Sequence, residues 1–251
     1  MTVIRVDDVY KSYGTVQAVD GMDFAVERGE LFGFLGPNGA GKTTTIRALT
    51  GQIRPDSGTI SVLGTDPTDD PLETRSRVGI LPEQGSPPSF LTPREYLEFV
   101  GIVRDLDPEF VAERTELWAD RLGFRNKLET LHTDLSRGQQ QKVMIAQAFV
   151  HEPEVVLIDE PLANLDPLVQ EQVKRFLLEY AADDNAVFVS THNIGVAESI
   201  CSRVGIVVDG EIVAERPLEE GLEDGSLLDV FLEHVDEAGA RDLPVADRVQ
   251  S

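Results

Sequence analysis

A glycine-rich run supplies the first side chains that could do chemistry. It matches the pattern G-x-x-x-x-G-K-[ST] throughout, with a short apolar stretch before it and a helical stretch after it. Its glycines let successive backbone N–H groups turn toward phosphate oxygens, and the following helix adds a favourable dipole. Lys42 would bring a charge to the β- and γ-phosphates, and the Thr43 hydroxyl would ligate Mg²⁺. The run, which predicts a nucleotide site, consists of Gly36, Pro37, Asn38, Gly39, Ala40, Gly41, Lys42, Thr43 and Thr44.

Two adjacent carboxylates, Asp159 and Glu160, end a second apolar stretch, Val155–Ile158. Asp159 at the strand end is placed to hold Mg²⁺, directly or through water. Adjacent strand residues point to opposite faces, but beyond the strand end Glu160 can turn toward the γ-phosphate. There it would act as general base or orient the attacking water. Among phosphate-loop proteins, this pair favours an enzyme that hydrolyses the nucleotide, and a phosphate-loop kinase is the alternative.

A third run, Leu135-Ser136-Arg137-Gly138-Gln139, lies between these two. Ser136 is predicted to cap a helix over Gln140–Val150, and Ser136 and the N–H of Gly138 can also offer donors to a phosphate. With the motifs on either side, the run resembles the signature of ATP-binding-cassette (ABC) proteins, usually Leu-Ser-Gly-Gly-Gln, with Arg137 as a departure. The resemblance implies that Ser136, Gly138 and Gln139 contact ATP.

The resemblance covers about Thr2 to Val213 and implies roles for further residues. Tyr13 matches the aromatic residue that stacks on adenine. Gln84 matches the glutamine that would ligate Mg²⁺ and sense the γ-phosphate, and His192 matches the switch histidine that contacts that phosphate during catalysis. Asp166 matches the aspartate of a loop that crosses a dimer seam. The two small polar positions usual before it are here Ala163 and Asn164.

The elements that must position these residues alternate between strand and helix, which indicates an α/β fold. Alternation from Thr2 to about Val26 predicts antiparallel strands, and apolar runs such as Leu31–Leu35 and Ala186–Val189 predict buried parallel strands. Helical periodicity from about Pro93 to Val150 predicts a helical insert with Trp118 in its core. The fold class is therefore a phosphate-loop NTPase core with a parallel sheet, an N-terminal antiparallel β subdomain and an inserted helical subdomain.

The predicted domain organisation follows from the same patterns. Residues 1–216 form the ATPase domain, with the helical subdomain at about 86–150. Residues 217–251 form an acidic C-terminal extension with one amphipathic helix over Ser226–Glu237 and a frayed tail from Gly239.

Composition limits the classes of partner. Among 251 residues, 45 are Asp or Glu and 22 are Lys or Arg, for a net charge of −23, yet 41% are hydrophobic, so a core can form. Such a surface repels phosphate backbones, so nucleic acid is not expected as a partner. The scarcity of lysine favours a protein of a high-salt cytoplasm over an ordinary acidic one, because molar salt screens self-repulsion.

One copy of each motif implies that a second cassette, the same chain or a paralogue, completes the working unit. No run of ~18 apolar residues occurs, so a separate membrane-spanning permease would hold the chain at the cytoplasmic face of the membrane. Segments Gly85–Val100 and Leu227–Glu233 resemble those of drug, lipid and polysaccharide exporters. We therefore expect an export ATPase that uses ATP and Mg²⁺, with import or a non-transport cluster-assembly ATPase as alternatives.

Overall fold

The computed structural model describes residues 1–162, 165–218 and 226–239. The strands are β1 (Thr2–Tyr13), β2 (Val16–Glu27), β3 (Leu31–Leu35), β4 (Ser57–Val62), β5 (Val78–Leu81), β6 (Val155–Asp159), β7 (Ala186–Thr191), β8 (Arg203–Val208) and β9 (Glu211–Pro217). The α-helices are α1 (Lys42–Leu49), α2 (Pro71–Arg77), α3 (Pro93–Val103), α4 (Pro108–Arg121), α5 (Arg137–Phe149), α6 (Pro167–Ala182), α7 (Ile194–Ile200) and α8 (Leu227–Gly239). The predicted α/β class is confirmed.

The larger sheet has six strands in the order β5-β6-β7-β3-β8-β9. The first five strands run parallel and β9 is antiparallel to β8. Every residue of β3, β6 and β7 is buried, as expected for parallel strands covered on both faces. Because the carboxyl ends of these strands meet at one edge, the loops that follow them lie together there.

The smaller sheet is antiparallel, with strand order β2-β1-β4, so the predicted N-terminal strands are confirmed. Phe24 of β2 joins it to the larger sheet. Its ring centroid lies 5.6 Å from that of Phe32, 5.5 Å from that of Phe34 and 5.8 Å from that of Phe188. Aromatic contacts of this kind add to the area buried between the two sheets. The two sheets therefore share one apolar core.

Helices α3 to α5 lie between β5 and β6 in the chain, where the helical insert was predicted. Helix α3 begins with a capping box, in which Thr92 and Glu95 each bond the other's backbone N–H. Trp118 of α4 is buried and packs edge-on against Phe176 of α6, with ring centroids 4.8 Å apart, so its predicted core role is confirmed. Helix α5 begins at Arg137, three residues before the predicted start.

Helix α8 corresponds to the predicted amphipathic helix over Ser226–Glu237, but it begins one residue later and ends two residues later. Its Leu227 and Val230 are buried, and the helix packs against α7 and β8. The predicted frayed tail lies outside the described residues after Gly239. Over the described part of the chain, every helix is too short or too polar to cross a membrane.

Candidate nucleotide-binding and hydrolysis site

The glycine-rich run forms the turn between β3 and α1. At Gly41 the backbone has φ +98°, and a Cβ there would lie 2.3 Å from the carbonyl oxygen of Ala18. A Cβ at Gly36 would lie 2.3 Å from the carbonyl oxygen of Val207. Both positions therefore require glycine. Gly41 also has no side chain to cap α1, so the first N–H groups of this helix stay available to an anion.

Lys42 lies under this turn as the first residue of α1. Its Nζ donates to the carbonyl oxygens of Gly36, at 2.8 Å, and Pro37, at 2.9 Å. Burial lowers the pKa of Lys42, and the nearby carboxylate of Glu160 opposes that shift. The carbonyl contacts hold the ammonium group beneath the loop, where it can serve a phosphate as a point charge.

Asp159, the last residue of β6, is buried and bonded through both carboxylate oxygens. Its Oδ2 accepts a hydrogen bond from the Thr43 hydroxyl at 3.0 Å, and its Oδ1 accepts one from the Ser190 hydroxyl at 2.8 Å. Mg²⁺ prefers oxygen ligands and usually takes one or two from protein, with water and phosphate supplying the rest. The paired oxygens of Thr43 and Asp159 fit that requirement.

Glu160 has a left-handed backbone, with φ +55°, just beyond β6. Its Oε1 accepts the backbone N–H of His192 at 2.9 Å and lies 2.6 Å from His192 Nδ1. Its Oε2 accepts the hydroxyl of Thr191 at 3.1 Å. The Glu160 side chain is 14% exposed and that of His192 is 59% exposed, so the carboxylate sits inside and the imidazole at the rim.

A cleft of about 350 Å³ lies over these groups. Among the described residues, those that line it are Val16, Ala18, Asn38, Gly39, Gly41, Lys42, Thr43, Thr44, Glu83, Asp159 and Glu160. The structure thus brings the glycine-rich run and both carboxylates of the second motif into one site. Their functional roles stay predictions.

The predicted nucleotide contacts Gln84, Tyr13 and His192 are not among the described residues of this lining. Gln84 is exposed, and its neighbour Glu83 lines the cleft instead. Tyr13 is 47% exposed with Lys11 Nζ 5.7 Å from its ring centroid, and Val16 is the lining residue nearest to it in the chain. Sequence reasoning missed these lining residues, and no motif marks them. It also left Thr191 unassigned, although a hydroxyl residue beside His192 at a strand end was a usable signal.

The signature residues lie elsewhere. Ser136 caps α5, as predicted, in a box with Gln139: Ser136 Oγ accepts the N–H of Gln139 at 3.3 Å, and Gln139 Oε1 accepts the N–H of Ser136 at 2.9 Å. Ser136 is exposed and Gly138 half-buried. None of the described residues that line the cleft belongs to this run.

Asp166 has a similar local role as the cap of α6, where its Oδ1 accepts the N–H of Val169 at 3.1 Å. It too is exposed. The two altered positions before it, Ala163 and Asn164, lie outside the described residues.

A phosphate loop after β3, together with two carboxylates at the end of β6, defines the class of phosphate-loop nucleotide-hydrolysing proteins. Within that class, residues 19–163 match the ABC transporter family. The chain belongs to this family.

Relatives with similar sequences agree with this assignment. The chain is 34% identical over 223 residues to the bacitracin transport ATP-binding protein BcrA of Bacillus licheniformis, a match that covers 87% of this chain and 71% of that one. It is 32% identical over 241 residues to the daunorubicin resistance ATP-binding protein DrrA3 of Streptomyces coeruleorubidus, covering 95% and 76%. A match at 34% identity to an uncharacterized ABC transporter ATP-binding protein, sll0415 of Synechocystis, covers 88% of this chain but only 64% of that relative.

Solved structures give the same result. An ATP-binding subunit of an ABC transporter superposes with a TM-score of 0.85 at 30% identity, covering 92% of this chain and 99% of that one. The dimeric ATP-binding cassette MJ0796, bound to ADP and Pi in a post-hydrolysis state, superposes with a TM-score of 0.79 at 25% identity, covering 86% and 99%. The prediction of an ATP-binding, ATP-hydrolysing ABC subunit is confirmed, and the cluster-assembly alternative is not favoured.

Proposed function

We propose that this chain hydrolyses Mg²⁺-bound ATP in the cleft between Lys42 and Glu160 and thereby powers export through a separate membrane-spanning subunit. The observation that carries the proposal is the left-handed turn at Glu160, since it brings a second carboxylate into the cleft that Asp159 already lines. Alternation along a strand would otherwise send neighbouring side chains to opposite faces.

Each group in the cleft has a role that its contacts support. The loop N–H groups and Lys42 bind the phosphates, and Thr43 with Asp159 would hold Mg²⁺. The bound ion would neutralise part of the negative charge of the phosphates. Glu160 lines the cleft and is held by His192 through one of its oxygens, so it would orient the attacking water or accept its proton.

The direction of transport is proposed from the relatives. Their names refer to bacitracin transport, daunorubicin resistance and Nod factor export. We extend export to this chain, at the cytoplasmic face of the membrane and with a permease docked on the segment Gly85–Val100. Support comes from Phe90 and Phe99, both exposed in or beside α3. The Leu-Thr-x-x-Glu pattern of that segment also serves as the capping box of α3.

A second cassette is part of the proposal, either a second copy of this chain or a paralogue. The related cassette MJ0796 is dimeric in its post-hydrolysis state. Ser136, Gly138, Gln139 and Asp166 would then serve the partner's nucleotide. We further propose that residues 1–216 form the ATPase domain, with 86–150 as its helical subdomain and 217–251 as an extension.

The test of the catalytic assignment is Glu160→Gln. The amide keeps the size of the side chain but cannot accept a proton, so ATP turnover should fall by about 100-fold or more while ATP binding persists. Bound ATP that is not hydrolysed should hold the chain as a dimer on gel filtration. Glu198→Gln, an exposed glutamate on α7, is the matched control and should leave both turnover and oligomeric state unchanged. Turnover by Glu160→Gln near that of the unmodified chain would remove Glu160 from the mechanism.

A further inference from the structure

Two consecutive hydroxyl residues end β7 opposite the two consecutive carboxylates that end β6. The strands are parallel and in register, with Asp159 paired to Ser190. The Ser190 hydroxyl lies 2.8 Å from Asp159 Oδ1, and the Thr191 hydroxyl lies 3.1 Å from Glu160 Oε2. Each carboxylate therefore has its own hydroxyl donor from the neighbouring strand.

The contacts of the Thr191 hydroxyl determine which acceptor its proton bonds. Thr191 is fully buried, at 0% exposure, and its Oγ1 accepts the backbone N–H of Asn193 at 3.1 Å. A threonine hydroxyl has a single proton to donate. With Asn193 on the acceptor side, that proton is directed to Glu160 Oε2.

The other oxygen of the same carboxylate is held as well. Glu160 Oε1 accepts the backbone N–H of His192 and contacts its ring nitrogen, while the backbone N–H of Glu160 donates to the carbonyl of Ser190 at 2.9 Å. The left-handed backbone at Glu160 is costly for a residue with a Cβ and persists only where surrounding contacts fix it. Thr191, whose side chain is fully buried, donates the hydrogen bond that holds Oε2.

We propose that Thr191 is a positioning residue for hydrolysis, acting through Glu160. This inference rests on the proposed role of Glu160. Thr191 is fully buried and is not among the described residues that line the cleft, whereas Glu160 lines it. Loss of its hydroxyl should let the carboxylate swing away from the attacking water, and small misplacements of this kind cost large factors in rate. The expected signature is a fall in kcat of about 10- to 100-fold with little change in KM, since hydrogen bonds to charged groups are of that strength.

Three variants test this. Thr191→Val keeps the shape and removes the hydroxyl, so kcat should fall while ATP binding and the ATP-held dimer persist. Thr191→Ser keeps the hydroxyl and should restore kcat to within about threefold, since only a methyl is lost. Thr74→Val is the matched control, because Thr74 is also buried and its hydroxyl bonds the carbonyl of Asp70 at 3.0 Å, away from the cleft. It should lower the melting temperature by a similar amount and leave kcat unchanged.

A double variant separates positioning from general damage. A residue that acts only through Glu160 should have no further effect on turnover when Thr191→Val is added to Glu160→Gln. A kcat for Thr191→Val within twofold of the unmodified chain, an equal loss for Thr191→Ser, or a weakened ATP affinity would each overturn the inference. If Glu160→Gln loses turnover and Thr191→Val does not, only the role of Thr191 fails. If Glu160→Gln stays active, the proposed function of Glu160 fails first.

Discussion

The cleft and the signature end of α5 differ in where their polar side chains find partners. In the cleft, Thr43 bonds Asp159, 116 residues further along the chain, and Ser190 bonds it from 31 residues beyond. At the start of α5, the Ser136 hydroxyl accepts the N–H of Gln139, which is three residues away. The first site is assembled by the tertiary fold and the second by a local motif.

This difference supports a division of labour between two chains. The buried Asp159 carboxylate is bonded from both α1 and β7, so these contacts fix the cleft groups within one subunit. Ser136 is exposed, and its hydroxyl caps α5 through a local contact that needs no other element of the fold. We propose that Ser136, which lies outside the cleft of its own chain, completes the cleft of a neighbouring chain.

The largest expected effect comes from mixing two inactive variants. Lys42→Ala damages the cleft and Ser136→Arg damages the signature, so each should be inactive as a homodimer. In a mixed dimer one site combines both lesions, while the other combines an intact cleft with an intact signature. ATPase activity should therefore return on mixing, to about half per mixed dimer at most if the sites act independently.

Two controls sharpen this experiment. Ser226→Arg also replaces a serine whose hydroxyl accepts the N–H of a residue three positions on, Asp229, so it should cost stability without inactivating the chain. Mixing each inactive variant with the unmodified chain shows whether a dimer with one intact site can hydrolyse ATP. No recovery between the two inactive chains, despite proven mixed dimers and activity in that control, would contradict the two-chain site.

A smaller effect concerns His151, which follows α5 in the chain and contacts β5. Its Nε2 lies 3.2 Å from the carbonyl oxygen of Val78 in β5, and its Nδ1 is buried without a partner among the described residues. Burial lowers the pKa of His151 to about 3, and the charge of Arg104 adds to the shift. The unfolded chain would take up a proton near pH 6.5 while the folded chain does not, so stability falls as pH drops below that value.

His151→Gln tests this pH dependence of stability, because the amide can still donate to the carbonyl oxygen of Val78 but does not titrate. Between pH 7 and pH 4.5 the unmodified chain should lose about 2–3 kcal/mol of unfolding free energy more than the variant. Denaturant unfolding at both pH values measures the difference. Parallel losses in the two proteins would show that His151 titrates in the folded chain as it does in the unfolded one.

The smallest effect concerns salt. Partly exposed ion pairs join elements of the helical region, as where Arg94 contacts Glu116 and Glu129, and each such pair contributes little to stability. The net charge of −23 acts on the whole chain. Added KCl should therefore raise the melting temperature by a few degrees, roughly 2–4 °C for each 1 kcal/mol of relieved repulsion. A melting temperature that stays flat or falls toward molar KCl would favour an ordinary acidic protein.

The sequence by itself determined the parts of the molecule that depend on neighbours in the chain. The glycine-rich turn follows from its motif, because glycine readily adopts the positive φ values that such a turn needs, as at Gly41. The cap at Ser136 follows from the chemistry of a helix N-terminus. The buried strands follow from apolar runs, and the family follows from the order of the motifs.

Tertiary structure alone decided the detailed contacts around the cleft. The turn that points Glu160 inward, the hydroxyl of Thr191 that holds it, and the presence of Glu83 in the lining depend on how strands far apart in sequence align. Strand register fixes which residues face each other across β6 and β7, and a shift of one residue would send every side chain to the other face. Local propensity carries no information about that alignment, because it is set by packing of the whole core.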